Sequence, residues 1–349
     1  AAAFLMADIV NVPYSNIIVR AIIPAVLYFT GIFIAVHVEA KKNKLEGIPK
    51  DQLPKMSVLA KEIYLLLPII MLIYLVSTAT KTIQTAAALS IVAAIVVSLP
   101  NKAHRMSLKS VFEALASGGK GAISVAAACG IAGIIAGTIT MTGLANVLIN
   151  GIVAIAGNQV IIALFLTMIC CIVLGMGVPT TANYCIMAAT CAPILVRMGV
   201  PMLAAHFFVF YFGIVADITP PVALAAYAGA AIAKSDPMKT AVNATKLAIA
   251  AFIVPYILAM NPAMIFIDVT GPLQIVSIAV TSLVGIFGVS TGVAGFMFAK
   301  MNPVQRILSV CGGLALMYPG SASDIIGVAI VGAVIVWQLA LNKKAAAAA

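Results

Sequence analysis

The stretch Gly175-Met-Gly-Val-Pro-Thr-Thr-Ala-Asn-Tyr184, followed further along by Asp217-Ile-Thr-Pro-Pro221, decides how this chain is read. Each is a polar, Gly- and Pro-broken interruption inside a segment otherwise apolar enough to sit in a bilayer. In lipid a chain must satisfy its own N–H and C=O groups. Non-helical backbone at membrane depth is therefore tolerated only where protein buries it or where it lines a water-filled cavity. Two hydroxyl-bearing breaks of this kind are the sequence trace of a membrane substrate site.

The composition sets the class. The chain is 63% hydrophobic and 9% charged, with a mean hydropathy of +1.17, whereas soluble domains carry roughly 25% charged residues. It reads as an all-α polytopic membrane protein. A membrane β-barrel would alternate apolar and polar residues at period two, and no segment does so over useful length. The net charge of +10 does not point to nucleic acid, because the Lys and Arg sit in loops between apolar runs, as the positive-inside rule requires. Cys129, Cys170, Cys171, Cys185, Cys191 and Cys311 lie in apolar stretches with no CxxC and no His at ligand spacing. They read as reduced core residues.

Spans of about 20 apolar residues are expected at 17–38, 63–80, 82–99, 121–139, 247–267, 273–299, 307–318 and 325–341. The 107–117 stretch has Leu108, Val111, Phe112 and Leu115 on one face and Lys109 and Glu113 on the other, which suits a helix lying flat in the interface. Segment 144–156 is short and is expected to do likewise. The basic loops 41–61, 102–109, 234–246, 300–306 and 343–344 can all be cytoplasmic only if 121–233 makes an even number of crossings. A re-entrant hairpin at 160–196, with Gly175–Pro179 at its tip, and a broken spanning helix at 202–233 meet that condition. A weak internal echo agrees with it. Ala1-Ala-Ala-Phe4, Pro13 and the run 17–29 resemble Leu224-Ala-Ala-Tyr227, Pro237 and the run 247–258, in opposite orientation, as in an inverted-topology repeat.

The candidate substrate-binding residues are Gly175, Gly177, Pro179, Thr180, Thr181, Asn183, Thr219 and Pro220. Thr180, Thr181 and Asn183 follow Pro179, where a half-helix would begin with free N–H groups, a ready anion site. The second break reads the same way, with Thr219 as N-cap, Pro220 in the first turn and a half-helix over 222–233. Gly175 and Gly177 permit a turn whose carbonyls could hold a cation such as Na⁺; the bland alternative is a pair of Thr-capped Pro kinks. Asp217 is the candidate coupling-ion residue, since a carboxylate at membrane depth costs ~3 kcal/mol or more, or else it merely caps the half-helix after it. His206, beside Phe207 and Phe208, reads as a packed structural residue. Gly133xxxGly137 and Gly288xxxGly292 read as close helix contacts, and Arg20 as a snorkelling span-end residue. No Ser/His/Asp grouping, HExxH or P-loop is present, so no enzyme and no cofactor is expected.

The GMGVPTTANY motif, the segment from Pro201 to Tyr227 ending in Asp217-Ile-Thr-Pro-Pro-Val, and Val12-Pro-Tyr14 leading into Pro24-Ala-Val-Leu-Tyr28, His37 and Glu39-Ala40 resemble the large membrane subunit of TRAP transporters. In particular they resemble the TAXI type, as the C-terminal part of a fused permease. The resemblance is strong to about Pro262 and weaker over the last spans. It implies an elevator-type secondary transporter in a prokaryotic cytoplasmic (inner) membrane. Such a transporter takes a carboxylate from a periplasmic substrate-binding protein, works with a small membrane subunit, and is driven by Na⁺ or H⁺. It implies two hairpins, of which 160–196 is the second; the first, and any fused small subunit, would precede Ala1. The expected organisation is then 1–16 as the end of the first repeat, 17–120 as scaffold and interfacial helices, 121–245 as transport domain, 246–344 as C-terminal scaffold, and 345–349 as an unassigned tail. An ion or proton antiporter, or a non-transporting structural subunit, are the competing readings.

Overall fold

The structure is a computed structural model that describes residues 2–45, 47, 49, 53, 56–78, 81–100, 105–221 and 223–348. Among them the chain is helical throughout, apart from one isolated bridge between Phe296 and Lys300.

A short helix α1 (Ala2–Val10) turns through Asn11, which sits at positive φ, into α2 (Tyr14–Lys42). Pro13 stops the first helix and leads the second, where its missing N–H costs nothing. At 1.5 Å per residue the 29 residues of α2 span about 43 Å, enough to cross a bilayer. Val19, Ile22, Val26, Phe29, Phe33 and Val36 follow one another in steps of three and four along α2 and are all exposed. That stripe suits a lipid-facing surface. The short α3 (Met56–Lys61) precedes a hairpin of α4 (Leu67–Ser77) and α5 (Ile83–Ser98) packed on each other. Thr82 caps α5 by accepting a hydrogen bond from the Thr85 N–H.

The next region departs from expectation. Segments 107–117 and 121–139 form one helix, α6 (Leu108–Met141), with no break between the expected flat piece and the expected span. Neither Gly nor Lys between them is a strong enough stop: helix continuation needs only compatible φ/ψ, and Gly lowers propensity without removing an N–H. Gly133 and Gly137 meet no neighbour within 4 Å among the described residues, so the expected close contact there is not formed. The helix α7 (Leu144–Ala156) leaves at Gly143, in the left-handed region, bent 66° from the last turns of α6.

Then come α8 (Val160–Leu174), α9 (Thr180–Thr190), α10 (Ala192–Arg197) and α11 (Met202–Val215). A one-turn 3-10 segment, Ala216–Ile218, ends α11, and α12 (Leu224–Ala233) follows the break. The helices α13 (Pro237–Leu247) and α14 (Ile249–Met260) are bent 40° to each other. Finally α15 (Pro272–Ala294), α16 (Pro303–Ala315) and α17 (Ser321–Ala348) pack in sequence. The spans expected at 273–299 and 307–318 are shorter or shifted, because Gly295 in the left-handed region ends α15 and Asn302 caps α16 with Gln305 as its capping-box partner.

The core lies between α9, α11 and α14, where Tyr184, Phe208, Phe212 and Leu258 are fully buried and Phe208 and Phe212 each meet Tyr256 edge-on. In lipid this packing rests on dispersion and fit more than on expelling water. Glycine permits the close packing of α15 on α16, as expected for Gly288 and Gly292. A Cβ on Gly288 would lie 3.0 Å from the Ser309 carbonyl, and one on Gly292 would lie 2.9 Å from that of Arg306.

Two cavities define opposite ends of the bundle. One brings Glu39 and Lys42, Lys246, and Arg306 together, so three of the basic loops share one face. The other is lined by Gln159 and Val160, by Gly199 and Pro201, and by Met260 and Pro319. The helix α14 runs from the first end, just past Lys246, to the second, at Met260. Residues 160 and 199 therefore lie at the same end, the one away from Lys42, Lys246 and Arg306, where Arg20 and Arg197 are the neighbouring cations: α8 leaves it and α10 returns to it. The two copies of the echoed segment also run oppositely, α2 toward the basic end at Lys42 and α14 away from it.

Candidate functional site

Both sequence breaks are breaks in the structure. The helix α8 stops at Leu174, Gly177 takes φ +74°, and α9 starts at Thr180 with Pro179 in the N-cap position. Pro179 cannot continue a helix behind it, and its fixed φ suits the residue before the first turn. The second arm breaks again at Cys191, so it comprises α9 and α10, and α8 packs against both.

The breaks meet each other. An added Cβ on Gly175 would stand 2.8 Å from the Ala216 Cβ and 2.7 Å from Asn183 Nδ2. Gly175 has ordinary helical φ/ψ, so it is glycine here for space, not for backbone freedom. Asn183 is fully buried and donates from Nδ2 to the carbonyl of Gly213 at 3.0 Å. Its Oδ1 has no partner among the described residues. Thr180 and Thr181 are half-buried at the start of α9, and their hydroxyls make no hydrogen bond among the described residues. A Thr further along a helix would bond its own i−4 carbonyl; in the first turn no helical carbonyl lies behind it.

The second break differs from expectation in detail. Thr219 is not an N-cap. Its hydroxyl donates back to the Val215 carbonyl at 2.7 Å, and α12 begins at Leu224, three residues after the cis Pro220–Pro221 bond, with Ala223 at its N-cap in the left-handed region and no side-chain cap. Pro220 therefore lies ahead of α12 and not in its first turn; Val222 falls outside the described residues. Asp217 does not cap α12 either. It sits half-buried in the 3-10 turn, and its carboxylate makes no hydrogen bond or ion pair among the described residues. Thr245 ties this break to α13 by donating to the Ile218 carbonyl at 3.0 Å.

Sequence reading missed two neighbours of the breaks and one bond between the helices that carry them. The Gly213 carbonyl carries no sequence signal, since any residue supplies one. Thr167 is fully buried with an unpartnered hydroxyl, about two turns before the tip; it is the lone hydroxyl in VIIALFLTMICCIVL, and that was the available signal. His206 is buried as expected, but its Nδ1 lies 2.7 Å from the Tyr184 hydroxyl, joining α11 to α9. No group of three or more His, Cys, Asp or Glu that could hold a metal ion occurs among the described residues.

An all-α bundle of apolar helices, without a strand among the described residues, whose two helix breaks meet in its interior, has the build of a multi-pass membrane transporter. The family described as "Tripartite ATP-independent periplasmic transporter, DctM component" matches residues 1–273, and the chain belongs to it. That is a family of transporter permease components and not of enzymes, and it generally works with a periplasmic binding protein and a small membrane subunit. Nothing among curated proteins or solved structures matches the chain.

Proposed function

We propose that this chain is the permease component of a secondary transporter that imports an organic acid, delivered by a periplasmic substrate-binding protein and driven by a Na⁺ or H⁺ gradient. The observation that carries this reading is the junction of the two breaks. There Thr180 and Thr181 offer uncommitted hydroxyls at a helix N-terminus, and Asp217 offers an uncommitted carboxylate. Free N–H groups and hydroxyls suit a carboxylate ligand. A lone acid close by suits a proton or a cation, and the tip carbonyls around Gly175 and Gly177 are the alternative Na⁺ ligands.

The same reading treats 160–196 as a re-entrant hairpin entering from the periplasm, and the transport domain 121–245 that contains it as the part that moves against the remaining helices. It extends to the TAXI type, to a fused permease, and to the prokaryotic inner membrane, on the strength of the GMGVPTTANY resemblance. The test is uptake of a panel of labelled mono- and dicarboxylates into proteoliposomes holding the complete transporter. Uptake of at least one acid that requires both the binding protein and an imposed ion gradient is the expected result. Uptake indifferent to the binding protein would overturn the reading in favour of an antiporter or uniporter.

A further inference from the structure

We propose that the basic end of the bundle carries a site for one anionic phospholipid, its phosphate held between α2, α13, α15 and α16 and an acyl chain laid along the outside of α15 and α16. The headgroup cavity has a volume of about 470 Å³ and is faced by Glu39, Lys42, Asn243, Lys246, Ser290 and Arg306. Its one carboxylate is already matched. Glu39 Oε2 lies 3.3 Å from Lys42 Nζ, and Glu39 Oε1 accepts from Asn43 at 3.0 Å. Two cations remain uncompensated. Lys246 makes no ion pair or hydrogen bond among the described residues. Arg306 donates through Nε and Nη2 to the carbonyls of Gly292 and Val293, at 3.0 and 3.1 Å, which fixes its plane and leaves Nη1 unspent. A guanidinium held this way is pre-set for a phosphate oxygen.

A separate observation also asks for a ligand. Ser290 is 2% exposed, lines this cavity, and its hydroxyl has no partner among the described residues. Its neighbour Thr291 satisfies its own hydroxyl on the Phe287 and Gly288 carbonyls, so the local helix could have done the same for Ser290. A buried hydroxyl left empty-handed is unfavourable, and a phosphate oxygen would satisfy it.

The adjoining groove decides between a lipid and a free anion. It has a volume of about 540 Å³, shares Lys246, Val293 and Arg306 with the cavity, and continues over Pro303, Ile307 and Val310. Ile307 is 63% exposed. A free phosphate would leave this apolar trough unfilled, whereas a phosphate bearing an acyl chain fills both. Basic pockets between helices at the positively charged side of a membrane protein bind such headgroups.

Native mass spectrometry of the purified full chain, in detergent with added phosphatidylglycerol, phosphatidylcholine or inorganic phosphate, tests this. The expected result is one retained phosphatidylglycerol, reduced at least fivefold by Lys246→Gln and severalfold by Ser290→Ala. Lys234→Gln, a surface charge outside the cavity, should leave retention unchanged. Ser290→Ala removes only an unpartnered oxygen, so its folding is not in question. Equal retention of phosphatidylcholine, or wild-type retention by both cavity variants, would overturn the site. Inorganic phosphate held as tightly as the lipid would overturn the lipid assignment in favour of a small-anion site.

Discussion

Asn183 donates to the carbonyl of Gly213 across 3.0 Å, and this one bond fastens the first turn of α9 to α11 just before α11 breaks. The amide sits directly against Gly175, so three separate stretches of chain, the hairpin tip, the arm after it and the second break, are fixed by one buried side chain. Asn183→Leu keeps the volume and strands the Gly213 carbonyl. The expected cost is about 1–3 kcal/mol, seen as a lower midpoint in thermal unfolding of the purified chain in detergent. An unchanged midpoint would show that the bond does not hold the two breaks together.

Space at Gly175 gives a second prediction. A methyl there would press on Asn183, on Ala216 and on the Cys171 carbonyl at 2.7–2.9 Å. Gly175→Ala should therefore destabilise by roughly 1–3 kcal/mol and separate the two breaks, abolishing uptake. Gly151→Ala in α7, where nothing lies within 4 Å, is the matched control and should be neutral or slightly stabilising. Equal behaviour of the two variants would refute the close approach.

The threonines should separate by what their hydroxyls already do. Thr180→Val and Thr181→Val remove uncommitted hydroxyls, each worth ~1.5–3 kcal/mol to a charged acceptor, or about tenfold or more in apparent affinity. Thr219→Val removes a hydroxyl that already donates to Val215, and uptake should fall by a much smaller factor. Concentration dependence of uptake in proteoliposomes checks all three. Normal affinity in both first-turn variants, at normal expression, would take those residues out of the site.

Asp217 is freed from a capping role by the position of Ala223, which sharpens its test. Asp217→Asn mimics the protonated acid. If Asp217 carries the coupling proton, substrate counterflow should persist while uptake driven by a pH gradient is lost. Full gradient-driven uptake at every pH would leave the tip carbonyls as the coupling site.

Sidedness is also testable. Single cysteines at Asn43 and Ser235 should label from the cytoplasm, and one at Asn11, at the far end of α2, from outside. Equal labelling of positions 43 and 11 from outside would refute this threading of α2 across the membrane.

What the sequence alone determined is what local chemistry fixes. Sustained apolar runs define membrane helices because lipid offers no partner to backbone groups. Gly175 to Pro179 and Thr219 to Pro221 read as breaks because proline is joined there by a turn-permitting glycine or a second proline, whereas the single Pro24 and Pro255 are carried inside α2 and α14. The motif around Thr180 carried the family. Other features were decided only by tertiary structure. Whether residues 107–139 bend or run straight depends on what lies beside them, and Gly118 and Gly119 permit either. Thr219 could have capped a helix or bonded backward to Val215, and the choice turned on the path of the chain beyond it. The meeting of Gly175 with Ala216, the anchoring of Asn183 on a carbonyl, and the gathering of Lys42, Lys246 and Arg306 around Ser290 join residues far apart in sequence. Their partners are backbone atoms or common side chains, which no local pattern can announce.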